Sequence, residues 1–344
     1  MQNGILAEIF QNCKHFFIYF FVFLYETRLG GDTKPEILYF VESEAISLFT
    51  RRTDLALEAH ELWQSSAKKK TLAGVRTKRG ERFGCEVTRV EISDAEAETA
   101  LGKPCGAYVT IDVSRYWDHA EDALERTAGV VGAELRTLLG SREVKSALVV
   151  GLGNDAMTPD AIGPQACRHV LVTRHLMQTP AFAAFASVGA LVPGVLGRTG
   201  VEAAELIRGA VRTVQPDVLI TIDALASRAL ARVCTTVQLS DTGIVPGSGV
   251  GNRRSALNEQ TVGVPVIAVG VPTVVDANTL ALDILEEAGA DGLDPKALRG
   301  HGEDVMVTPR DIDAQIRELA RVVGYGIDLA LQPLSFADLS ALIG

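Results

Sequence analysis

The sequence predicts an α/β protein: a mostly parallel, doubly wound sheet with helices on both faces and a small antiparallel β element, all in a single domain. Two observations carry this. Short, wholly apolar runs at residues 146–150 (SALVV), 218–222 (VLITI) and 264–269 (VPVIAV) are separated by stretches with helical spacing of apolar residues, and fully apolar strands alternating with helices belong to a sheet covered on both faces. Upstream, residues 85–92 and 106–113 alternate apolar with polar side chains and are rich in β formers, the pattern of an antiparallel pair packed at one edge.

In chain order, residues 1–50 stand apart. Eight of the 12 phenylalanines fall there, and residues 16–25 read FFIYFFVFLY. That run is shorter than the roughly 20 residues a helix needs to cross a bilayer, and no small-residue cleavage site follows it, so neither a membrane span nor a signal peptide is expected. Residues 1–50 read instead as a poorly ordered N-terminal extension, with an upstream start codon or a membrane-surface anchor as alternatives. The domain is expected over 51–335, followed by a tail at 336–344. Thr53 can cap a helix over 55–64. The basic stretch 68–79 reads as a solvated loop. Helices are expected over 120–139 and 203–214, each leading into one of the apolar runs. At the far end Thr308-Pro309-Arg310-Asp311 offers a capping hydroxyl, a proline at the first helical position and an acid in the first turn. Ile312, Ile316, Leu319, Val323 and Ile327 then form one stripe, which predicts a closing helix packed on the sheet.

Composition narrows the chemistry. Forty-three acidic residues against 33 lysines and arginines leave a net charge of -10, which repels phosphate backbones and argues against direct nucleic-acid binding. The five cysteines, Cys13, Cys85, Cys105, Cys167 and Cys234, are scattered, without a C-x-x-C pair. They fit a reducing, cytoplasmic compartment and buried, unreactive thiols.

Candidate chemistry lies just beyond the apolar runs, because ligands of open α/β sheets bind outside the carboxyl ends of the strands. Asp223 follows VLITI directly, and Asp160 sits seven residues past Gly153 in the segment after SALVV. If those two strands are neighbours, both carboxylates look into one cleft. Two close carboxylates cannot both ionise cheaply, so one can serve as general acid while the other, as base, activates water. Each aspartate also has a structural reading: Asp160 could sit in the first turn of a helix after Thr158-Pro159, and Asp223 could cap a following helix.

Other motifs are weaker. Gly151-Leu152-Gly153-Asn154-Asp155-Ala156 resembles a dinucleotide fingerprint, but no acidic residue ends a second strand about 20 positions on. The glycine loop 247–251 lacks the lysine of a P-loop and reads as a tight turn, and Ser248 within it lacks the G-x-S-x-G frame. His169 and His175 are six residues apart and do not share a helical face. No cofactor and no metal are called for.

The stretches GLGNDAMTPDAIGP (151–164), LVTRHL (171–176), VPGVLGRTG (192–200), TIDALASR (221–228), LSDTGIVPGSGVGN (239–252) and VPVIAVGVPTVVDA (264–277), with RTDLA (52–56) and MVTP (306–309), resemble the spore germination protease family. The resemblance spans about residues 45–330. It implies a fold similar to the hydrogenase maturation proteases, a homotetramer in the forespore or spore core, and an endopeptidase acting on small acid-soluble spore proteins. The family's two essential aspartates match Asp160 and Asp223, and Asn154 and Asp241 are candidate supporting residues. The family is made as a zymogen that cuts off its own propeptide, which here implies processing between Glu42 and Thr53, where Ser43-Glu44-Ala45-Ile46 looks like the acidic-then-apolar sites the family cuts. This chain departs in carrying about fifty residues before Thr53, against a short propeptide in the family. The spacing between the aspartates is also slightly shorter than in typical members, which suggests a surface-loop deletion. Two competing readings are a peptidyl-tRNA hydrolase, which shares the Gly-Leu-Gly-Asn strand end but is a much smaller fold, and a non-catalytic binding module.

Overall fold

A computed structural model describes residues 51–67, 69, 71–247, 255–289 and 305–343, all within one compact unit, Leu48–Gly344. Among the described residues nine strands make one mixed sheet: β1 (Val75–Arg82), β2 (Cys85–Ile92), β3 (Gly106–Asp112), β4 (Ser146–Gly151), β5 (Ser187–Leu191), β6 (Val218–Ser227), β7 (Thr236–Ser240), β8 (Val266–Asp276) and β9 (Met306–Val307). Their order across the sheet is β1-β2-β3-β7-β8-β6-β4-β5, with β9 paired to β8. Strands β5, β4, β6 and β8 run parallel. Beyond β8 the pairing is antiparallel out to β1. The expected antiparallel pair is β2 and β3, in register Val87 with Ile111. It belongs to the same sheet, joined to the parallel half through β7.

Ten helices flank the sheet among the described residues: α1 (Ala56–Ala67), α2 (Ala95–Leu101), α3 (Ala123–Leu139), α4 (Ile162–Cys167), α5 (Leu196–Thr199), α6 (Ala203–Val214), α7 (Glu259–Val262), α8 (Ala277–Glu287), α9 (Ile312–Leu331) and α10 (Phe336–Ile343). The parallel strands read as unbroken apolar runs because successive side chains enter two different cores. Ala147 and Val149 of β4 pack with α3, α4 and α9, while Leu148 and Val150 pack with α6 and α7. The closing-helix stripe from Ile312 to Ile327 is buried as expected. Helices α1 and α2 cover Val90, Ile92 and Tyr108 of the antiparallel half.

Four local expectations are corrected. Residues 75–82, read as part of a solvated loop, form β1 and pair along their length with β2. The hairpin turns on Phe83 and Gly84, both at positive φ (52° and 75°), the geometry that two-residue hairpins demand. Phe-Gly is a weak signal for it, and the exposed, charged β1 shows no apolar alternation. The hydroxyl of Thr308 does not cap α9 but donates to the Thr273 carbonyl at 2.9 Å, and Asp311 is the N-cap residue. Residues 336–343 are a helix instead of a tail: Ser335 and Asp338 hydrogen-bond reciprocally at its start, and Leu339 is fully buried. Finally, β6 does not stop before Asp223 but runs on to Ser227, because its backbone stays paired to β8 as far as Val275.

Of the cysteines, Cys85, Cys167 and Cys234 are buried and Cys105 is exposed, while Cys13 lies outside the described residues. Burial pushes the Cys167 and Cys234 thiols up to about 12, which leaves them unreactive. No helix of the described residues is long and apolar enough to cross a membrane.

Candidate active site

Neighbouring strands bring the two aspartates together. Strand β4 pairs parallel with β6, Gly151 opposite Ile222, and the Leu152 N–H donates to the Ile222 carbonyl at 2.8 Å. The chain then turns sharply at Gly153, whose φ is +109°; a Cβ there would stand 2.0 Å from the Asp160 carbonyl oxygen. Residues 154–160 fold back as a compact loop ending in a 3-10 turn, Thr158–Asp160, with Pro159 at its second position. The Asn154 N–H donates to the Asp160 backbone carbonyl (3.0 Å) and to its carboxylate (2.9 Å). Asp160 is thus fixed over the end of β4 by the glycine-led turn that precedes it.

Gly163, one residue into α4, sets how closely that helix approaches. A Cβ at this position would meet the Leu152 carbonyl at 2.3 Å and the Ile222 carbonyl at 2.6 Å. The motif TPDAIGP therefore combines a carboxylate, a proline-initiated turn and a glycine that lets the following helix touch two strands at once.

Asp223 lies inside β6 opposite Gly270 of β8 and is 6% exposed. Strand alternation puts it on the same face as Leu219, the face covered by α6. It does not cap a helix, since residues 224–227 continue the strand. Asp160 and Asp223 line one cleft of about 410 Å³.

The cleft has features that the motifs did not suggest. Glu202, the residue before α6, and Asp54 line it as well, so four acidic residues border one space whose described lining includes no lysine, arginine or histidine. The rest of the wall is largely apolar, including Val195, Ile244, Val245, Pro246, Val274 and Met306. Thr308, brought alongside β8 by β9, completes the rim.

Asp54 is held by main-chain pairing: its N–H donates to the Ala226 carbonyl (2.8 Å), and its carboxylate accepts from the Ala226 N–H (2.9 Å). Next to it the buried Glu58 accepts from the N–H groups of Arg228 (2.6 Å) and Ala229 (3.0 Å), pairs with Arg232 at 3.1 Å and receives the Thr53 hydroxyl. Thr53 in turn accepts the Leu55 N–H at 3.0 Å. Arg51 pairs with Asp283 and Glu286 of α8, and Arg52 with Asp276 at 3.6 Å. The segment 51–58 is therefore strapped along the carboxyl end of β6, a placement that the RTDLA motif alone does not convey.

The two candidate supporting residues fall elsewhere. Asn154 shapes the loop: its side-chain oxygen accepts from the Ala156 N–H at 3.1 Å. Asp241 accepts from the Ala107 N–H at 2.8 Å, tying the end of β7 to the start of β3. Neither is among the lining residues. Most of the glycine loop 247–251 and of the processing window from Glu42 to Thr53 lies outside the described residues.

A family profile for germination protease matches residues 56–289. The germination protease of Caldanaerobacter subterraneus subsp. tengcongensis is 43% identical over 309 residues, covering 82% of this chain and 94% of that one. Germination proteases of Clostridium perfringens and Bacillus cereus are 40% and 36% identical, each across 83% of this chain and at least 95% of their own length. Among solved structures, the NiFe hydrogenase maturation protease HycI from Thermococcus kodakarensis matches 57% of this chain and 99% of its own at 16% identity, with a TM-score of 0.33. With a profile spanning most of the domain and relatives of this identity along nearly their whole length, the chain belongs to the germination protease family.

Proposed function

We propose that this peptidase hydrolyses small acid-soluble spore proteins during germination, in the forespore or spore core, with Asp160 and Asp223 as its acid–base pair. The observation that carries the reading is that Asp160, past the end of β4, and Asp223, within the adjacent parallel strand β6, line one cleft. In the proposed step one aspartate takes a proton from the attacking water while the other protonates the leaving amine, and the pair titrates as a unit. The apolar walls around Val195 and Ile244 suit an apolar substrate side chain.

The proposal extends to zymogen control and to a homotetramer, both implied by the family resemblance. For self-processing, Asp54 lines the cleft among the described residues that precede α1, and Asp54-Leu55 has the acidic-then-apolar pattern. We therefore take the Asp54–Leu55 bond, just past the window ending at Thr53, as the proposed cut.

The test is digestion of a purified small acid-soluble spore protein by the parent and by Asp160→Asn and Asp223→Asn, with and without chelator. Cleavage by the parent regardless of chelator, and a loss of roughly 10²–10⁴-fold in both variants, the range for a general acid or base, is expected. Activity surviving either substitution would sink the dyad, and inhibition by chelator would shift the mechanism to a metal-bound water.

A further inference from the structure

The segment before α1 is gripped from behind by two side chains that lie outside the lining of the cleft. The Lys103 ammonium, on the turn after α2, donates to the carbonyl of Asp54 at 3.0 Å and to that of Thr53 at 3.3 Å. The buried Gln238 of β7 donates its amide N–H to the same Asp54 carbonyl at 3.2 Å, while its amide oxygen accepts from the Ala56 N–H at 2.8 Å. With the Ala226 pairing, the backbone of residues 54–56 is held by three groups that read main chain. A carbonyl fixed by two donors, one of them cationic, is in the arrangement that stabilises a developing oxyanion.

We propose that Lys103 and Gln238 are catalytic donors to the scissile carbonyl in self-processing, with Lys103 carrying most of the effect. This rests on the proposed cut at Asp54–Leu55. The water oxygen bonds to the Asp54 carbonyl carbon as one aspartate accepts its proton, and the carbonyl oxygen takes up the electron pair against Lys103 and Gln238. That pair then re-forms the C=O as the C–N bond breaks, the second aspartate protonates the Leu55 nitrogen, and the products are an Asp54 carboxylate and a Leu55 amine. The donors and the two acids thus act from different sides of the segment: Asp54 lines the cleft with Asp160 and Asp223, while Lys103 and Gln238 are absent from that lining.

The experiment follows the purified full-length chain by intact mass over time, alongside Lys103→Met, Lys103→Arg and Gln238→Leu, with melting temperatures for each. The parent is expected to yield a product beginning at Leu55. Lys103→Met should slow that cut by about 100-fold, the scale seen when one oxyanion donor is removed, with an unchanged melting temperature. Lys103→Arg should recover most of the rate, because it keeps a cationic donor. A Lys103→Met chain that melts lower yet processes at the parental rate would make Lys103 a structural staple and overturn the inference alone. A parent cut at another bond would overturn it while leaving self-processing intact, and a parent that never cuts itself would overturn both. Gln238 is buried, so its variant counts only if it melts like the parent; Lys103, half-buried on a turn, decides the matter by itself.

Discussion

Replacing Gly163 with alanine tests whether the closeness of α4 to the sheet sets the geometry of the cleft. The new Cβ would lie 2.3 Å from the Leu152 carbonyl oxygen, 2.6 Å from that of Ile222 and 2.6 Å from the Leu152 nitrogen. All three are backbone atoms of β6 or the end of β4, so no flexible side chain can swing away. Bringing the nearest to ordinary van der Waals contact requires α4 to retreat by about 1 Å, and overpacking of this kind costs roughly 1–3 kcal/mol. Asp160 ends the 3-10 turn that leads through Ala161 directly into α4, so it moves with the helix. A misplacement of about 1 Å at a reacting group can cost about 100-fold in rate. Gly163→Ala is therefore expected to lose about two orders of magnitude in kcat/KM on a spore-protein substrate while unfolding only 1–3 kcal/mol (roughly, by the overpacking figure) more easily in urea. Gly209→Ala on α6 is the control: nothing lies within 4 Å of its Cβ position, and it should gain up to about 1 kcal/mol with unchanged activity. Full activity in a folded Gly163→Ala protein would refute the claim that this contact positions Asp160.

Other outcomes follow from buried charge. Asp328 of α9 is fully buried, and desolvation pushes its carboxyl up to about 8, against the opposing pull of the Leu171 N–H. Because the folded-state value is raised, its contribution favours folding below the unfolded value near 3.8 and is lost as pH rises towards 8; the full swing is on the order of 6 kcal/mol as an upper bound. Asp328→Asn should therefore unfold later than the parent in urea at pH 8 and show little difference at pH 4, and a pH-independent gap would disprove this assignment. Glu58→Ala removes a buried carboxylate from Arg232 and from the half-buried N–H groups of Arg228 and Ala229. A loss of about 3–5 kcal/mol in unfolding free energy is expected, measured by denaturant titration. Ile316→Ala, at a fully buried point of α9, should cost about 2–5 kcal/mol by the same measurement.

The sequence by itself determined the parallel half of the sheet, since runs such as VLITI are apolar on consecutive residues only when two cores consume alternate side chains. It also determined the closing helix, through a stripe repeated at helical spacing, and it singled out Asp160 and Asp223 by their position relative to two strands. Tertiary structure decided what local pattern could not encode. Strand β1 exists because β2 offers it a hydrogen-bonding edge, and its charged residues carry no alternation to announce it. Strand β6 runs past Asp223 because β8 goes on pairing with it, so the aspartate is a strand residue and not a cap. Asp241, which looked eligible by motif, is spent on Ala107 across the sheet. Asp54, Lys103 and Gln238 stand 49 or more residues apart in sequence, and their hydrogen bonds to one another's segments arise only when α1 is laid across β6 and β7. Periodicity reports which face of an element is buried, whereas which distant elements share an edge is fixed by the packing of the whole sheet.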